Sequence, residues 1–269
     1  MARNTIKVAC QFAAPSLNPM IEHQNTIVVI PARMASTRLP GKPLADIHGL
    51  PMIVHVWKRA VEANVGQVLV ACAEMEIARA IKAHGGDAIV TEPGLASGSD
   101  RVWAALSLRD PERRFRFIVN LQGDLPTVEP LDVQRCLGGL VNEGVDISTI
   151  AAPITDDADV ANPNIVKAIA PLSDEREVAF ARDFQRRPAA DLGPRFWHHI
   201  GIYAFRREAL ERFVKLPVSE RESERRLEQM RALDNGMTIA VVRVDSVPLG
   251  VDTPADLEAA RQMLKASRF

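Results

Sequence analysis

A chain of 269 residues with 47% hydrophobic residues can bury a sizeable core, so length and composition predict a globular protein of one large domain or two small ones. The 33 basic residues nearly balance the 34 acidic ones, and a net charge of -1 argues against a globally basic surface for nucleic acid. No apolar run approaches the roughly 18 to 20 residues that cross a bilayer, so we expect neither nucleic acid nor membrane as a partner.

The cysteines and the first residues bear on where the protein works. Cys10, Cys72 and Cys136 are an odd number, lie far apart and lack C-x-x-C or metal-ligand spacing, which fits a cytoplasmic location. Residues 1–25 contain no apolar region strong enough for a signal peptide and are expected to be a disordered leader. Met20 lies just before the first predicted strand, so we expect much of the native protein to start there.

Strand and helix patterns alternate through the first half of the chain. The predicted strands are residues 26–30, 67–72, 88–91, 117–121 and 146–151. The predicted helices, which carry the 3.6-residue apolar period, are residues 52–63, 76–83, 99–108 and 131–143. This alternation predicts a Rossmann-like, doubly wound α/β fold with a mostly parallel sheet and helices on both faces.

The second half is less regular. Residues 153–200 are rich in proline and polar turns and are expected to leave the sheet as an excursion. Strands are predicted at 165–170, 199–205 and 239–244, a helix at 222–235 that ends at Gly236, and a last helix at 253–266. Thr253 and Asp256 form a capping box around Pro254 at the start of that helix. We expect residues 26–269 to form a single domain.

Residues 30–44 follow the first predicted strand and carry Arg33, Arg38 and Lys42 on a loop stiffened by Pro40 and Pro43. Arginine forks and a lysine at the carboxyl end of a buried strand suit phosphate oxygens, so the loop predicts a polyphosphate site. The alternative is a solvated basic loop. A P-loop is excluded, because Ser36 and Pro43 stand where a Walker motif needs glycine and Ser or Thr.

Two aspartates are candidates for a metal site. Asp124 follows the strand predicted at 117–121, and Asp252 comes just before the last helix. Two carboxylates together with a triphosphate suit Mg²⁺, which prefers oxygen ligands. A turn or cap role is the alternative for Asp124, whereas Thr253 already fills the cap beside Asp252.

Three further clusters have both a functional and a structural interpretation. Residues 97–101, Ser-Gly-Ser-Asp-Arg, by themselves predict a helix N-cap, whereas the family resemblance described below implies a small base pocket. On the strand at 199–205, alternation puts His199, Gly201 and Tyr203 on one face and His198 on the other, so the two histidines cannot chelate a metal together. Glu228 and Gln229 by themselves fit a solvated helix face, whereas the family resemblance described below implies a pocket.

From about Thr26 to Leu264 the chain closely resembles the CMP-Kdo synthetases, which activate 3-deoxy-manno-octulosonate (Kdo), and more loosely the CMP-sialic acid synthetases. The motifs occur in the family order: the basic loop, Ser-Gly-Ser-Asp-Arg, Gln-Gly-Asp, Asn-Pro-Asn-Ile-Val-Lys, His-Ile-Gly-Ile-Tyr, Leu-Glu-Gln and Gly-Val-Asp-Thr-Pro. The resemblance implies the nucleotide-diphospho-sugar transferase fold, a homodimer built partly by residues 153–200, and the reaction CTP + Kdo → CMP-Kdo + diphosphate for lipopolysaccharide biosynthesis.

The resemblance also implies roles for individual residues. Catalytic roles fall on Arg33, Arg38, Lys42 and Asp124, and Mg²⁺ would be held by Asp124 and Asp252. Nucleotide binding is implied for Pro31, Ala32, Arg33, Arg38, Lys42, Ala71, Ser97, Ser99 and Arg101. Sugar binding is implied for Gln122, Arg182, His199, Tyr203, Glu228 and Gln229.

The chain departs from the family pattern in three places. Ala73 and Ala181 stand where the family has polar residues, the segment after Arg182 is not recognisable, and Arg225 and Arg226 precede Leu227 where acidic and apolar residues are commoner. Two alternatives therefore stay open. One is a cytidylyltransferase for another acid sugar, such as 8-amino-Kdo or a sialic acid; the other is a nucleotide-binding paralog without catalysis.

Overall fold

The computed structural model of the protein describes residues 21–187 and 195–266. Its strands in chain order are β1 (Thr26–Ala32), β2 (Asp46–Ile47), β3 (Leu50–Pro51), β4 (Gln67–Cys72), β5 (Asp87–Val90), β6 (Phe117–Asn120), β7 (Ile147–Pro153), β8 (Lys167–Ile169), β9 (Val178–Phe180), β10 (Asp183–Gln185), β11 (Trp197–Arg206) and β12 (Ile239–Arg243). Its α-helices are α1 (Met52–Glu62), α2 (Met75–Ala83), α3 (Gly98–Arg109), α4 (Pro130–Gly138), α5 (Asp157–Ala161), α6 (Arg207–Lys215), α7 (Glu220–Arg225), α8 (Met230–Asp234) and α9 (Pro254–Ala266).

The predicted doubly wound α/β fold is confirmed. The main sheet has the order β5-β4-β1-β6-β11-β7-β12-β9. The strands β5, β4, β1 and β6 run parallel, as do β7 and β12, while β11 runs antiparallel between β6 and β7. All seven residues of β1 are buried, because helices cover both faces of the sheet at this central strand.

Part of the predicted excursion returns to the sheet. Strand β8 pairs with β10 and β11, and β9 pairs with β12 at the end of the sheet order. On β9 the side chains of Val178 and Phe180 are exposed by 48% and 51%. This edge therefore presents an apolar surface to solvent.

The prediction of one helix at 222–235 is wrong in one respect. It is two short helices, α7 and α8, because Arg226 adopts a left-handed conformation with φ +54° and ends the first of them. A non-glycine residue in this region breaks a helix rather than continuing it.

The structure shortens the segment that was predicted to be a disordered leader. Ile21 packs into the main core, and residues 23–25 form a 3₁₀ turn, so residues 21–25 belong to the fold. Residues 1–20 lie outside the described residues, so the start at Met20 stays a prediction. None of the helices within 21–187 and 195–266 combines the length and apolarity needed to cross a bilayer.

Candidate active site

A cleft of about 410 Å³ opens where β1 and β6 end at their carboxyl edge. The basic loop, the start of α3, the turn after β6 and the residue before α9 line it. Ten residues predicted for the site meet there: Pro31, Ala32, Arg33, Arg38, Lys42, Ser97, Arg101, Gln122, Asp124 and Asp252. The prediction that ligands bind at this edge of an α/β sheet thus agrees with the geometry.

Local backbone features hold the basic loop at the mouth of the cleft. Gly41 has φ +70°, a conformation that glycine adopts without strain, and its N–H donates to the Met34 carbonyl at 3.3 Å. The Met34 N–H in turn donates to Glu74 Oε2 at 3.0 Å. Glu74 is a site residue that sequence reasoning missed, although its place directly after β4 is a signal that could have found it.

The turn after β6 packs tightly against β1. A Cβ added at Gly123 would lie 2.8 Å from the Pro31 carbonyl oxygen, so only glycine fits between Gln122 and Asp124. The Gln122 side chain lies near α3 and β11, because a Cβ added at Gly98 or at Gly201 would be 3.6 or 3.9 Å from it. This amide therefore connects the cleft to the β11 side of the molecule.

Lys42 joins the two predicted metal ligands. Its Nζ lies 2.9 Å from Asp124 Oδ2 and 3.0 Å from Asp252 Oδ1, and an Arg38 nitrogen lies 2.8 Å from Asp252 Oδ2. Burial by itself lowers the pKa of Lys42, but the carboxylates of Asp124 and Asp252 outweigh it and raise the pKa above its usual value. The ammonium is therefore charged, and two cations balance two carboxylates.

The donor set fits Mg²⁺ only together with a substrate. Within the described ranges, no group of three or more His, Cys, Asp or Glu side chains is placed to hold a metal. Asp124 and Asp252 supply two carboxylates around a point where the positive charge of Lys42 already lies. A divalent cation that replaces Lys42 there would need further oxygens from phosphates and water.

A second group of predicted residues lies beside the cleft and is termed the buried cluster: Ser99, His199, Tyr203, Glu228 and Gln229. Four of its members line a small void of about 10 Å³. The Ser99 hydroxyl donates to Glu228 Oε2 at 3.0 Å, whereas Glu228 Oε1 and Gln229 Nε2 are buried without a hydrogen-bond partner among the described residues. Burial raises the pKa of Glu228, against hydrogen bonds from Ser97 and Ser99 that lower it. Unpartnered buried polar atoms are rare and mark a place for a polar ligand or water.

His199 is neutral and held by its neighbours. Its ring packs against Phe184 and Tyr203 with centroids 4.9 and 5.5 Å away. Thr149 Oγ1 lies 2.8 and 3.2 Å from the Ile202 and Ile200 carbonyls, to which its hydroxyl can donate, and 3.0 Å from His199 Nε2, with which it shares a hydrogen bond. Burial lowers the pKa of His199 to about 3 and raises that of Tyr203. A neutral imidazole can orient a ligand but carries no charge to it.

Two predicted residues, Ala71 and Arg182, lie outside both the cleft and the buried cluster, and Arg101 has a structural role as well. Ala71 is fully buried within β4. The Arg101 guanidinium donates to Thr91 Oγ1 and to the Glu92 and Pro93 carbonyls at 2.6, 3.1 and 3.2 Å, so it fixes the segment after β5 even though it also borders the cleft.

The structure does not bring Arg182 to the cleft. Arg182 lines a separate depression with Pro171, Arg176 and residues 178–181, because its own backbone N–H pairs with the Ile169 carbonyl at 2.7 Å beside the edge strand β9. Its sugar-binding role therefore stays a prediction.

The sequence analysis also assigned no role to Lys167, at the end of the Asn-Pro-Asn-Ile-Val-Lys motif. It is fully buried and donates to the carbonyls of Asn162, Ile165 and Arg186 at 2.6, 2.9 and 3.0 Å. Its strand β8 pairs with β11 at His198, next to the buried cluster. The motif itself was the available signal.

Fold and cleft together define an α/β nucleotide-binding protein with a polyphosphate-type site. Residues 27–239 match the family model described as cytidylyltransferase, and the chain belongs to that family. It is 56% identical over 241 residues to a 3-deoxy-manno-octulosonate cytidylyltransferase of Paramagnetospirillum magneticum, covering 89% of this chain and 98% of the relative. The enzyme of the same description from Parvibaculum lavamentivorans is also 56% identical, over 94% of this chain and 96% of its own length.

Solved structures agree with this assignment. A CMP:2-keto-3-deoxy-manno-octonic acid synthetase complexed with CTP superposes with a TM-score of 0.81 at 36% identity and covers 90% of this chain and 99% of its own. A protein from Mycobacterium sp. strain JC1 shares the fold, with a TM-score of 0.59 at 19% identity over 91% of this chain and 100% of its own.

Proposed function

We propose that this chain catalyses CTP + Kdo → CMP-Kdo + diphosphate. The observation that carries the proposal is the meeting of Arg33, Arg38 and Lys42 with Asp124 and Asp252 in one cleft at the carboxyl edge of the sheet. Support comes from Kdo cytidylyltransferases more than half identical to this chain and from a structural neighbour that binds CTP. The reaction belongs to lipopolysaccharide biosynthesis in the cytoplasm.

The chemistry is a displacement at phosphorus. The anomeric hydroxyl of Kdo gives up its proton to solvent, the resulting anionic oxygen attacks the α-phosphorus of CTP, the bond from that phosphorus to the bridging oxygen breaks, and diphosphate leaves. Such transfers depend on positioning and charge stabilisation rather than on a covalent nucleophile. Arg33, Arg38 and Lys42 neutralise the triphosphate, and Arg33, which is exposed, has no carboxylate within ion-pair distance among the described residues.

Charges in the cleft rearrange when the nucleotide enters. The triphosphate competes with Asp124 and Asp252 for the cations of Lys42 and Arg38, which frees the two carboxylates. Mg²⁺, when bound by Asp124 and Asp252, supplies positive charge at the α-phosphate. The carboxylates themselves fix where that charge lies.

The sugar acid is proposed to lie between the cleft and the buried cluster. Gln122 reaches from the turn after β6 toward β11, and Glu228 and Gln229 offer buried polar atoms for sugar hydroxyls. His199 and Tyr203 form an aromatic wall behind them. We also propose a homodimer that uses residues 153–200, supported by the exposed Val178 and Phe180 on the edge strand β9.

The experiment that tests this function is diphosphate release from CTP with Kdo and Mg²⁺, with UTP, sialic acid, no sugar and no metal as controls. We expect release only when CTP, Kdo and metal are all present. Release with sialic acid in place of Kdo would assign another acceptor, and CTP binding without turnover on any acid sugar would favour a non-catalytic nucleotide-binding protein.

A further inference from the structure

Two departures from the family pattern contact each other. The unrecognisable segment after Arg182 forms strand β10, and the arginines before Leu227 end helix α7. A nitrogen of Arg225 donates to Asp183 Oδ1 at 2.6 Å and to the Phe184 carbonyl at 2.9 Å. Asp183 and Arg225 thus form an ion pair between two stretches that are far apart in sequence.

Arg186, at the end of the same segment, secures the backbone of the turn. Its Nε donates to the Arg225 carbonyl at 2.9 Å, and its two terminal nitrogens donate to the carbonyls of Arg226 at 3.3 Å and Pro163 at 3.1 Å. Carbonyls at a helix end have no partner within the helix, and Arg226 holds the left-handed conformation that stops α7. Charge-assisted hydrogen bonds from Arg186 satisfy them.

This turn leads directly to part of the buried cluster. Leu227 is buried, and Glu228 and Gln229 follow it with unpartnered polar atoms among the described residues. On the other side of β10, Phe184 packs edge-on against His199. Strand β10 therefore contacts the aromatic wall through Phe184, whereas Asp183 on β10 and Arg186 just after it contact the turn that precedes Glu228 and Gln229.

We propose that Arg186, together with the Asp183–Arg225 ion pair, positions Glu228 and Gln229 for the acid sugar. The inference rests on the proposed function, since it assigns these residues to the acceptor side of the same site. They are positioning residues and do not touch the substrate. Removing them displaces the Glu228–Gln229 backbone while the triphosphate side of the cleft, built on other elements, stays intact.

The test compares Arg186→Gln with Arg206→Gln. Arg206 also donates to three carbonyls, those of Leu140, Asn142 and Val145, at 2.7, 3.0 and 2.9 Å. It pairs with Phe117 at the start of β6, at the edge opposite the cleft. Arg206→Gln therefore reproduces the loss of three hydrogen bonds without contact to the site.

We expect Arg186→Gln to raise the KM for Kdo about tenfold or more while the KM for CTP changes less than about twofold. Arg206→Gln is expected to lower Tm comparably and to leave both KM values unchanged. Equal effects of the two variants on the KM for Kdo, or an unchanged value in Arg186→Gln, would overturn the inference.

The ion pair provides a second measurement. Asp183, which Arg221 also approaches at 3.4 Å, and Arg225 are tested by neutral variants: Asp183→Asn and Arg225→Gln are each expected to raise the KM for Kdo, and the double variant is expected to lose less than the sum of the two. Additive losses in the double variant would contradict the positioning role. If the wild-type protein shows no acceptor-dependent turnover, the proposed function fails and this inference with it, whereas a working wild type with unaffected variants overturns the inference alone.

Discussion

The cleft and the buried cluster differ in charge and in exposure to solvent, and these differences suit them to different parts of a substrate. The cleft is open and charged: Arg38 and Asp252 side chains are 65% and 47% exposed, and pairs of opposite charges hold its walls together. The buried cluster is enclosed, and burial lowers the pKa of His199 and raises the pKa of Glu228, which in both cases disfavours the charged form. A triphosphate is recognised through charge, whereas a sugar is recognised through hydroxyl hydrogen bonds in a shaped pocket.

The largest expected effect lies in the cleft. Asp124→Asn should lower turnover about a hundredfold or more, because the neutral amide neither balances Lys42 nor offers a full charge to a metal. Steady-state turnover would be measured beside calorimetric CTP binding and circular dichroism. Retention of more than roughly a tenth of the wild-type rate, about 1.4 kcal/mol in barrier, would remove Asp124 from catalysis.

Substitution of Lys42 is expected to have opposite effects on nucleotide binding and on metal binding. Lys42→Met should weaken CTP binding about tenfold or more, since the triphosphate loses a partly buried cation, and should tighten Mn²⁺ binding without nucleotide, because Asp124 and Asp252 lose their competing partner. Calorimetry gives the first value and electron paramagnetic resonance the second.

The control for Lys42 is Lys215→Met, which removes an exposed lysine paired with Glu211 at 2.8 Å. It should change neither affinity. Unaltered Mn²⁺ affinity in Lys42→Met would show that Lys42 does not occupy the metal position.

In the buried cluster, pH acts on stability through His199. The pKa of His199 in the folded protein is lowered to about 3. Below pH 6.5 the imidazole is therefore protonated in the unfolded chain but stays neutral in the folded chain until the pH approaches that lower value. The stability that the neutral His199 contributes is fully present above pH 6.5 and is lost as pH falls below it. In that range the free energy of unfolding decreases with a slope that approaches about 1.4 kcal/mol per pH unit. Denaturant unfolding at pH 7.5 and 5.0 measures it.

The variants sharpen that measurement. His199→Gln should reduce the pH dependence by this slope, and the exposed-residue control His84→Gln should keep the wild-type dependence. Identical slopes in His199→Gln and wild type would mean that folding does not lower the pKa of this imidazole.

The smallest effect is expected at the exposed rim of the cleft. Arg38→Gln should raise the KM for CTP about threefold at low salt and less at high salt, because an exposed cation is screened. Kinetics at two ionic strengths would check this. A salt-independent effect as large as that of Lys42→Met would place Arg38 in a desolvated site instead.

The same contrast explains what the sequence could predict. The cleft is made from short local motifs at the ends of strands, so Arg33, Lys42 and Asp124 could be placed from periodicity and loop chemistry. The interruption at Arg226 could not be predicted, because the residues around it favour one helix and the break is stabilised by tertiary bonds to Arg186 and Asp183.

Helix α6 escaped prediction for a related reason. Its apolar stripe of Ala209, Leu210 and Phe213 is short and set among charged residues, and its burial depends on packing against the sheet. Strand β10 is likewise too short to show a recognisable apolar pattern in the sequence. Its pairing with β8 depends on tertiary structure rather than on local sequence.

Identification of the products tests the central claim most directly. CTP, Kdo and Mg²⁺ would be incubated with the protein, and the phosphorus-containing products would be quantified by phosphorus nuclear magnetic resonance and mass spectrometry. The account predicts CMP-Kdo and diphosphate in equal amounts. Free CMP with diphosphate and no sugar ester, or no loss of CTP at all, would contradict it.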